Sequence, residues 1–295
     1  MKVLVVTNCA TAAYTSGLRA IFPQWEVKGA QLDIARKWLL EEPNPAFAEF
    51  LAQAELLVTA DPGDVIFAGA SASAARLVIP PFYFRAYHPD SFHLGCGDTP
   101  VPSVLGSGNL HSRIAATAFL LGVSPRHTAA CFNSRVYEHC GYFAVFEPER
   151  KGLLERFSAH DIELASAFAG WVRSGNFLYT YNHPKAFVFN DILLQSLTGR
   201  LINAGTAQAA RPSLASIPDY LEPSIRWPVY PELARHYAFK SALIWRSGEG
   251  SGSQSISVED FVGRSFEIFS SFPELTADRV PGFGPCREAL LELAS

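Results

Sequence analysis

Two dipeptides in this chain stand where open α/β sheets do chemistry. Asn8-Cys9 directly follows the apolar run Val3-Leu4-Val5-Val6, and Asn182-His183 directly follows Phe177-Leu178-Tyr179-Thr180-Tyr181. Ligands of such sheets bind off the carboxyl ends of the strands, so a nucleophile or base placed there reaches the crevice. Cys9 also precedes a helix-forming stretch, and the N–H groups of a helix N-terminus attract anions and depress a thiol pKa. Histidine is the usual general base, and Pro184 suits the first position of a following helix. Cys9 and His183 are therefore candidate catalytic residues, Asn8 and Asn182 could orient a substrate, and Lys185 could meet a phosphate. The same residues also suit plain turns: a small cysteine in a bend and a histidine capping a helix.

A second group frames a long stretch without periodicity. Arg85-Ala86-Tyr87-His88-Pro89 opens it, and Gly106-Ser107-Gly108-Asn109-Leu110-His111-Ser112-Arg113 closes it. His88 is a further candidate base. Arg85, Tyr87, Asn109, His111, Ser112 and Arg113 are candidate cofactor ligands, because glycines let backbone approach a phosphate and a guanidinium meets its charge. A turn with a helix cap explains the glycine stretch equally well. Loops of this length in compact proteins are functional or disordered, and the aromatics and histidines here argue against disorder, so 85–110 is expected to wall a pocket. His88, His93 and Cys96 invite zinc, but there is no CxxC, no HExxH and no second compact ligand pair, so no metal is expected. His127 with Cys131, and His139-Cys140, read as core or surface residues. A Walker A loop and a dinucleotide GxGxxG are absent, which leaves nucleotide hydrolysis and hydride transfer without support.

The elements that position these residues alternate. A strand at Val3–Val6, a helix over 12–22, an extended piece from Val27, helices over 34–40 and 46–54, and a strand over 55–61 ended by Pro62-Gly63 predict a three-layer α/β fold. Its parallel sheet is flanked by helices. A strand within 76–84 is interrupted by Pro80-Pro81. Helices are expected over 111–121, 125–139, 148–173, 186–201, 258–269 and 286–293, with a proline-rich surface strap over 204–231 and a flexible Gly-Ser loop over 246–257. The whole reads as one α/β domain, 1–295, with its core sheet within 1–110 and 176–203, a helical lobe over 111–175, and the strap and last helices over 204–295. The strand ending at Tyr181 is expected beside the first strand, so that Cys9 and His183 emerge at one edge and a depressed pKa makes Cys9 the most readily alkylated cysteine.

Composition sets the frame. Apolar residues are 48% and charged residues 18% of the 295, ample for a packed core. A net charge of −4 without basic runs argues against nucleic acid as a partner. The first apolar run is too short for a signal peptide and no stretch approaches a membrane span, which favours a cytoplasmic protein. The five cysteines are odd in number and scattered, which suits a reducing compartment rather than a disulfide framework.

Taken in order, the strand-Asn8-Cys9 opening, the Tyr87-His88-Pro89 loop, the Asn109 to Ser112 turn and Tyr181-Asn182-His183-Pro184 resemble the WcbI-type polysaccharide-biosynthesis proteins over most of the chain. The resemblance implies a cradle-shaped α/β fold holding coenzyme A in a deep pocket. It also implies acyl transfer from acetyl-coenzyme A to a hydroxyl of a capsule-sugar or polysaccharide precursor, with other polysaccharide-biosynthesis enzymes as possible contacts. His183 or His88 would then be the base, Asn109 and backbone N–H groups near Cys9 would hold the oxyanion, and Arg85, Arg113 or Lys185 would meet phosphates. Ala10 stands where that family usually carries a glutamine after Asn-Cys. The arrangement is also similar to SGNH-type hydrolases, with Cys9 in the place of serine but Thr180 where the acid of the triad is expected. Two alternatives stay open: an acyl hydrolase working through Cys9, and a non-catalytic protein that binds coenzyme A or a glycan.

Overall fold

The structure is a computed structural model that describes residues 1–294 except 61, 62, 64, 65, 97, 98, 107 and 249–252, and the side chains of 67, 293 and 294 are not described. The expected strand end at Pro62, Ser107 of the glycine turn and the middle of the Gly-Ser loop lie outside the described residues. The chain forms two compact units: Met1–Tyr83, Lys151–Phe177 and His183–Leu221 make the first, and Phe84–Arg150, Leu178–Asn182 and Glu222–Ser295 the second.

The first unit is built on a parallel sheet. Strand β1 (Lys2–Thr7) leads to helix α1 (Thr11–Ile21) and β2 (Glu26–Gln31); α2 (Leu32–Leu40) and α3 (Pro45–Gln53) follow, then β3 (Leu56–Thr59) and β4 (Ala75–Val78). The order is β2-β1-β3-β4, so β1 is internal, with Val3 opposite both Val27 and Leu56. An internal strand covered on both faces needs a continuous apolar run, and Val3 to Val6 are at most 1% exposed. Each such side chain contributes about 1.5–3 kcal/mol by leaving water. Leu4 and Val6 pack with Ala35 of α2 and Phe47, Phe50 and Leu51 of α3. Val3 and Val5 point to the other face, since side chains alternate along a strand. On α1, Tyr14 meets Phe189 of helix Ala186–Leu197 edge-on at 5.6 Å. A methyl group at Gly17 would lie 2.4 Å from Leu193 Cδ2, so a larger residue there would have to push the Leu193 side chain aside. The expected α/β fold, a parallel sheet flanked by helices, is what forms.

Several local expectations change. Leu178–Thr180 is not part of the four-stranded sheet; within the second unit Trp227 N–H donates to Tyr179 O (2.8 Å) and Phe84 N–H to Tyr181 O (2.7 Å). The placement of this strand beside β1 is therefore corrected. The stretch 85–110 contains two antiparallel pairs, Ser91–His93 with Leu110–Ser112 and Gly95–Cys96 with Thr99–Pro100. Extended pairing through Ser112 delays the next helix to Arg113–Leu120. The helix expected over 125–139 is two, Pro125–Ala130 and Ser134–His139, because Asn133 caps the second through Val136 N–H. That over 148–173 is Phe146–Ser158 and Ala165–Arg173, separated by Asp161 in the left-handed region (φ 54°). The supposed strap begins as helix Ala204–Ala215, started by an Asn203 cap despite Pro212.

Candidate functional site

At the carboxyl end of β1 the chain turns within the next few residues. Thr11 N–H donates to Asn8 O (3.1 Å), and the Thr11 hydroxyl donates to Thr7 O and Asn8 O. Asn8 Oδ1 accepts the Ala10 N–H (3.5 Å) and the Cys9 thiol (3.8 Å). The turn is thus held by its own residues, with Asn8 exposed and Cys9 half-buried. Burial pushes the Cys9 thiol up to about 11. The expectation of a depressed pKa is corrected: the Thr11 N–H is spent on Asn8 O, and the lost hydration of a thiolate outweighs the remaining backbone donors.

Cys9 lines a cavity of about 10 Å³ with Ala13, Ala186, Phe189, Asp219 and Tyr220, room for about one water. Tyr220 also borders an open groove of about 400 Å³ beside Thr11, Ser16, Arg19 and Gln31, and its hydroxyl meets Ser16 Oγ at 2.8 Å. Asp219 accepts the Ala186 N–H (2.8 Å) and the Leu221 N–H (3.1 Å). The start of helix Ala186–Leu197 is therefore satisfied by Asp219 rather than by a histidine. Pro184 precedes that helix instead of opening it. His183 is half-buried, and Lys185 Nζ donates to Asn176 O (2.6 Å). Asp219 and Tyr220 escaped the sequence reading because they sit in a stretch taken for a strap.

In the second unit Tyr181 gathers several candidates. The Arg85 guanidinium lies over its ring at 4.6 Å, and the His93 ring meets it edge-on at 5.7 Å. His93 Nδ1 is 2.6 Å from Asn109 Oδ1, whose amide nitrogen donates to Leu94 O. Asn182 Oδ1 accepts the Thr180 hydroxyl (2.8 Å). Spacing had linked neither His93 nor Tyr181 with Arg85.

The other candidates of this unit are buried. The Tyr87 ring packs among Phe84, Phe146, Tyr237 and Phe239. Burial holds the pKa of His88 down at about 3, partly offset by the Trp227 backbone, and that of His111 at about 4, although Val101 O lies 3.0 Å from its Nε2. Ser112 caps its helix through Ala115 N–H. The Arg113 guanidinium lies beside Gly282 with its Nε buried. At the centre is Asp90, fully buried, accepting from Ile114 N–H (3.0 Å), Tyr142 OH (2.8 Å) and Tyr230 OH (2.5 Å). Burial of the two phenols, and after it the charge of Asp90, raise both their pKa values well above the usual range. Sequence reasoning passed over Asp90, which carries no motif.

Among the described residues, no three His, Cys, Asp or Glu side chains converge as a metal site, and no helix is long and apolar enough to cross a membrane. A cavity of about 670 Å³ in the second unit is bordered by Ser124, His127, Cys131 and Asn133; as expected of core or surface residues, Cys131 is buried and His127 exposed.

A solved structure matches over 99% of both chains with a TM-score of 0.66 at 14% identity. It is of WcbI, described as a novel polysaccharide biosynthesis enzyme, in native form without a disulfide bond between coenzyme A and a cysteine of that protein. At this identity the likeness speaks for the fold alone. No curated protein matches the chain. The profile of the polysaccharide biosynthesis enzyme WcbI matches residues 2–199, and on that match the chain belongs to the WcbI family.

Proposed function

We propose that the protein transfers an acyl group from an acyl-coenzyme A to a hydroxyl of a sugar or polysaccharide precursor, with Cys9 and His183 as the centre. The observation that carries this reading is the half-buried Cys9 on the turn at the carboxyl end of the internal strand of a parallel sheet, the position where such sheets take ligands. The family match and the mention of coenzyme A with a cysteine in the related structure support the same donor. The chemistry of the turn fits the thiol end of a pantetheine arm, since Asn8 offers an exposed amide. The cavity itself holds only about 10 Å³, so the arm would lie along the exposed turn.

The bound donor supplies a thioester. His183 takes the proton of the acceptor hydroxyl, Asn8 orients the acyl carbonyl, and Lys185, whose Nζ donates to Asn176 O, supplies the positive charge for a phosphate. Cys9 packs against the donor as a protonated thiol. The rival route, hydrolysis through an acyl-Cys9 intermediate, needs a thiolate, and a pKa of about 11 leaves very little of it near neutral pH. His88 is set aside as the base: a group with a pKa of about 3 is poorly matched to proton abstraction near neutrality.

The test combines binding with turnover. Coenzyme A and its desulfo analogue should both raise the melting temperature, since a ligand of the folded state stabilises it by mass action. His183→Ala should keep that shift and lose turnover by about 10²-fold or more, while Cys9→Ala should keep most of its turnover. No shift with either ligand at millimolar concentration, or full turnover in His183→Ala, would overturn the proposal.

A further inference from the structure

We propose that Cys140 and Cys286 are a redox couple that a peroxide oxidises to an intramolecular disulfide. Their Sγ atoms are 3.0 Å apart, so an approach of about 1 Å reaches the S–S bond length of about 2.05 Å. Neither sulfur sits on a long loop. Cys140 is the residue at which helix Ser134–His139 ends, and Cys286 lies on helix Phe283–Ala294. The two helices pack side by side, and His139 and Glu292 pair beside them at 3.2 Å. Cys140 is half-buried and Cys286 buried, so oxidant reaches the pair from one side while bulk thiols are hindered from reducing it.

Tyr142 OH, 3.7 Å from Cys286 Sγ, also donates to Asp90, which fixes one sulfur against a rigid network. The hydrogen bond with Cys140, helped by Tyr142 OH and Arg113, holds the pKa of Cys286 below its ordinary value against burial and the Asp90 charge, while the same bond and burial push that of Cys140 up, so Cys286 is the sulfur that ionises first. In the reaction both S–H bonds and the peroxide O–O bond break, one S–S bond forms, and two molecules of water leave. Two electrons pass from sulfur to the peroxide oxygens. The link would join positions 146 residues apart in sequence, a large restriction on the unfolded chain.

The reduced full-length protein is treated with hydrogen peroxide, alkylated without reductant, digested and examined by mass spectrometry. The expected product is a Cys140–Cys286 peptide pair, lighter by two hydrogens than the separate thiol peptides, released by reductant and found in monomeric protein. Oxidation should also raise the melting temperature by about 5 °C or more, and Cys140→Ser should abolish both effects. The proposal is overturned if both cysteines are recovered alkylated or as sulfinic acids without the linked pair, if the link occurs only between two chains, or if Cys140→Ser shows the same thermal shift as the parent.

Discussion

The turn after β1 and the loop around Asp90 are both polar, and they are held together in opposite ways. At Asn8 and Cys9 the hydrogen bonds to Asn8 Oδ1 and Asn8 O close within three residues, and part of the turn faces solvent. At Asp90 the partners come from Ile114, Tyr142 and Tyr230, the last 140 positions away, and no part of the residue is exposed. The difference separates two kinds of polar residue. A locally satisfied, accessible turn can meet a ligand without disturbing the fold. A carboxylate with three buried donors holds distant segments in place and has no access to substrate.

The sharpest way to break this contrast is Asp90→Ala. It would strand one backbone N–H and two phenols in the interior, and removing one partner of a buried charged network costs about 3–5 kcal/mol. The melting temperature should fall by about 10 °C, whereas Cys9→Ser should cost less than about 1 kcal/mol. Equal losses in thermal unfolding would mean that Asp90 is no anchor.

Acid provides the next largest effect. His88 and His111 have pKa values near 3 and 4 in the folded state, against an ordinary 6.5. As the pH falls below 6.5 the unfolded chain takes up protons that the folded chain refuses, so stability is complete above that value and is lost progressively towards pH 4. By pH 5 the two histidines together would cost about 4 kcal/mol. Urea unfolding at neutral pH and at pH 5 measures this, and His88→Asn or His111→Asn should each remove about half of the difference. A stability independent of pH over this range would show that neither ring is held neutral by burial.

The smallest effect concerns reactivity alone. With its thiol pushed up to about 11, Cys9 should react with iodoacetamide near neutral pH about tenfold to a hundredfold more slowly than an unhindered thiol. Its rate should climb with pH up to the folded pKa. Rapid labelling at neutral pH would restore the covalent hydrolase and erase the distinction between an accessible turn and an activated one.

Much of the first unit was legible because its signals are local. Val3 to Val6 is a continuous apolar run, which a strand buried on both faces requires, and the turn at Asn8-Cys9 closes on its own neighbours. The same locality misled elsewhere. Pro212 made a helix read as a strap, although the Asn203 cap three residues before Thr206 started it, and aromatic composition placed Leu178–Thr180 in a sheet it does not join.

The sequence by itself determined that an α/β fold with a parallel sheet forms, that Cys9 follows its first strand, and that a family likeness runs through the polar motifs. Tertiary structure alone decided that burial raises the pKa of the Cys9 thiol, that Asp219 rather than His183 caps a helix, that Arg85 stacks on Tyr181, and that Cys140 reaches Cys286. Periodicity and strand ends are properties of neighbouring residues. Desolvation, buried charge and sulfur contact depend on which distant segments exclude water from one another, and no spacing in the chain records that.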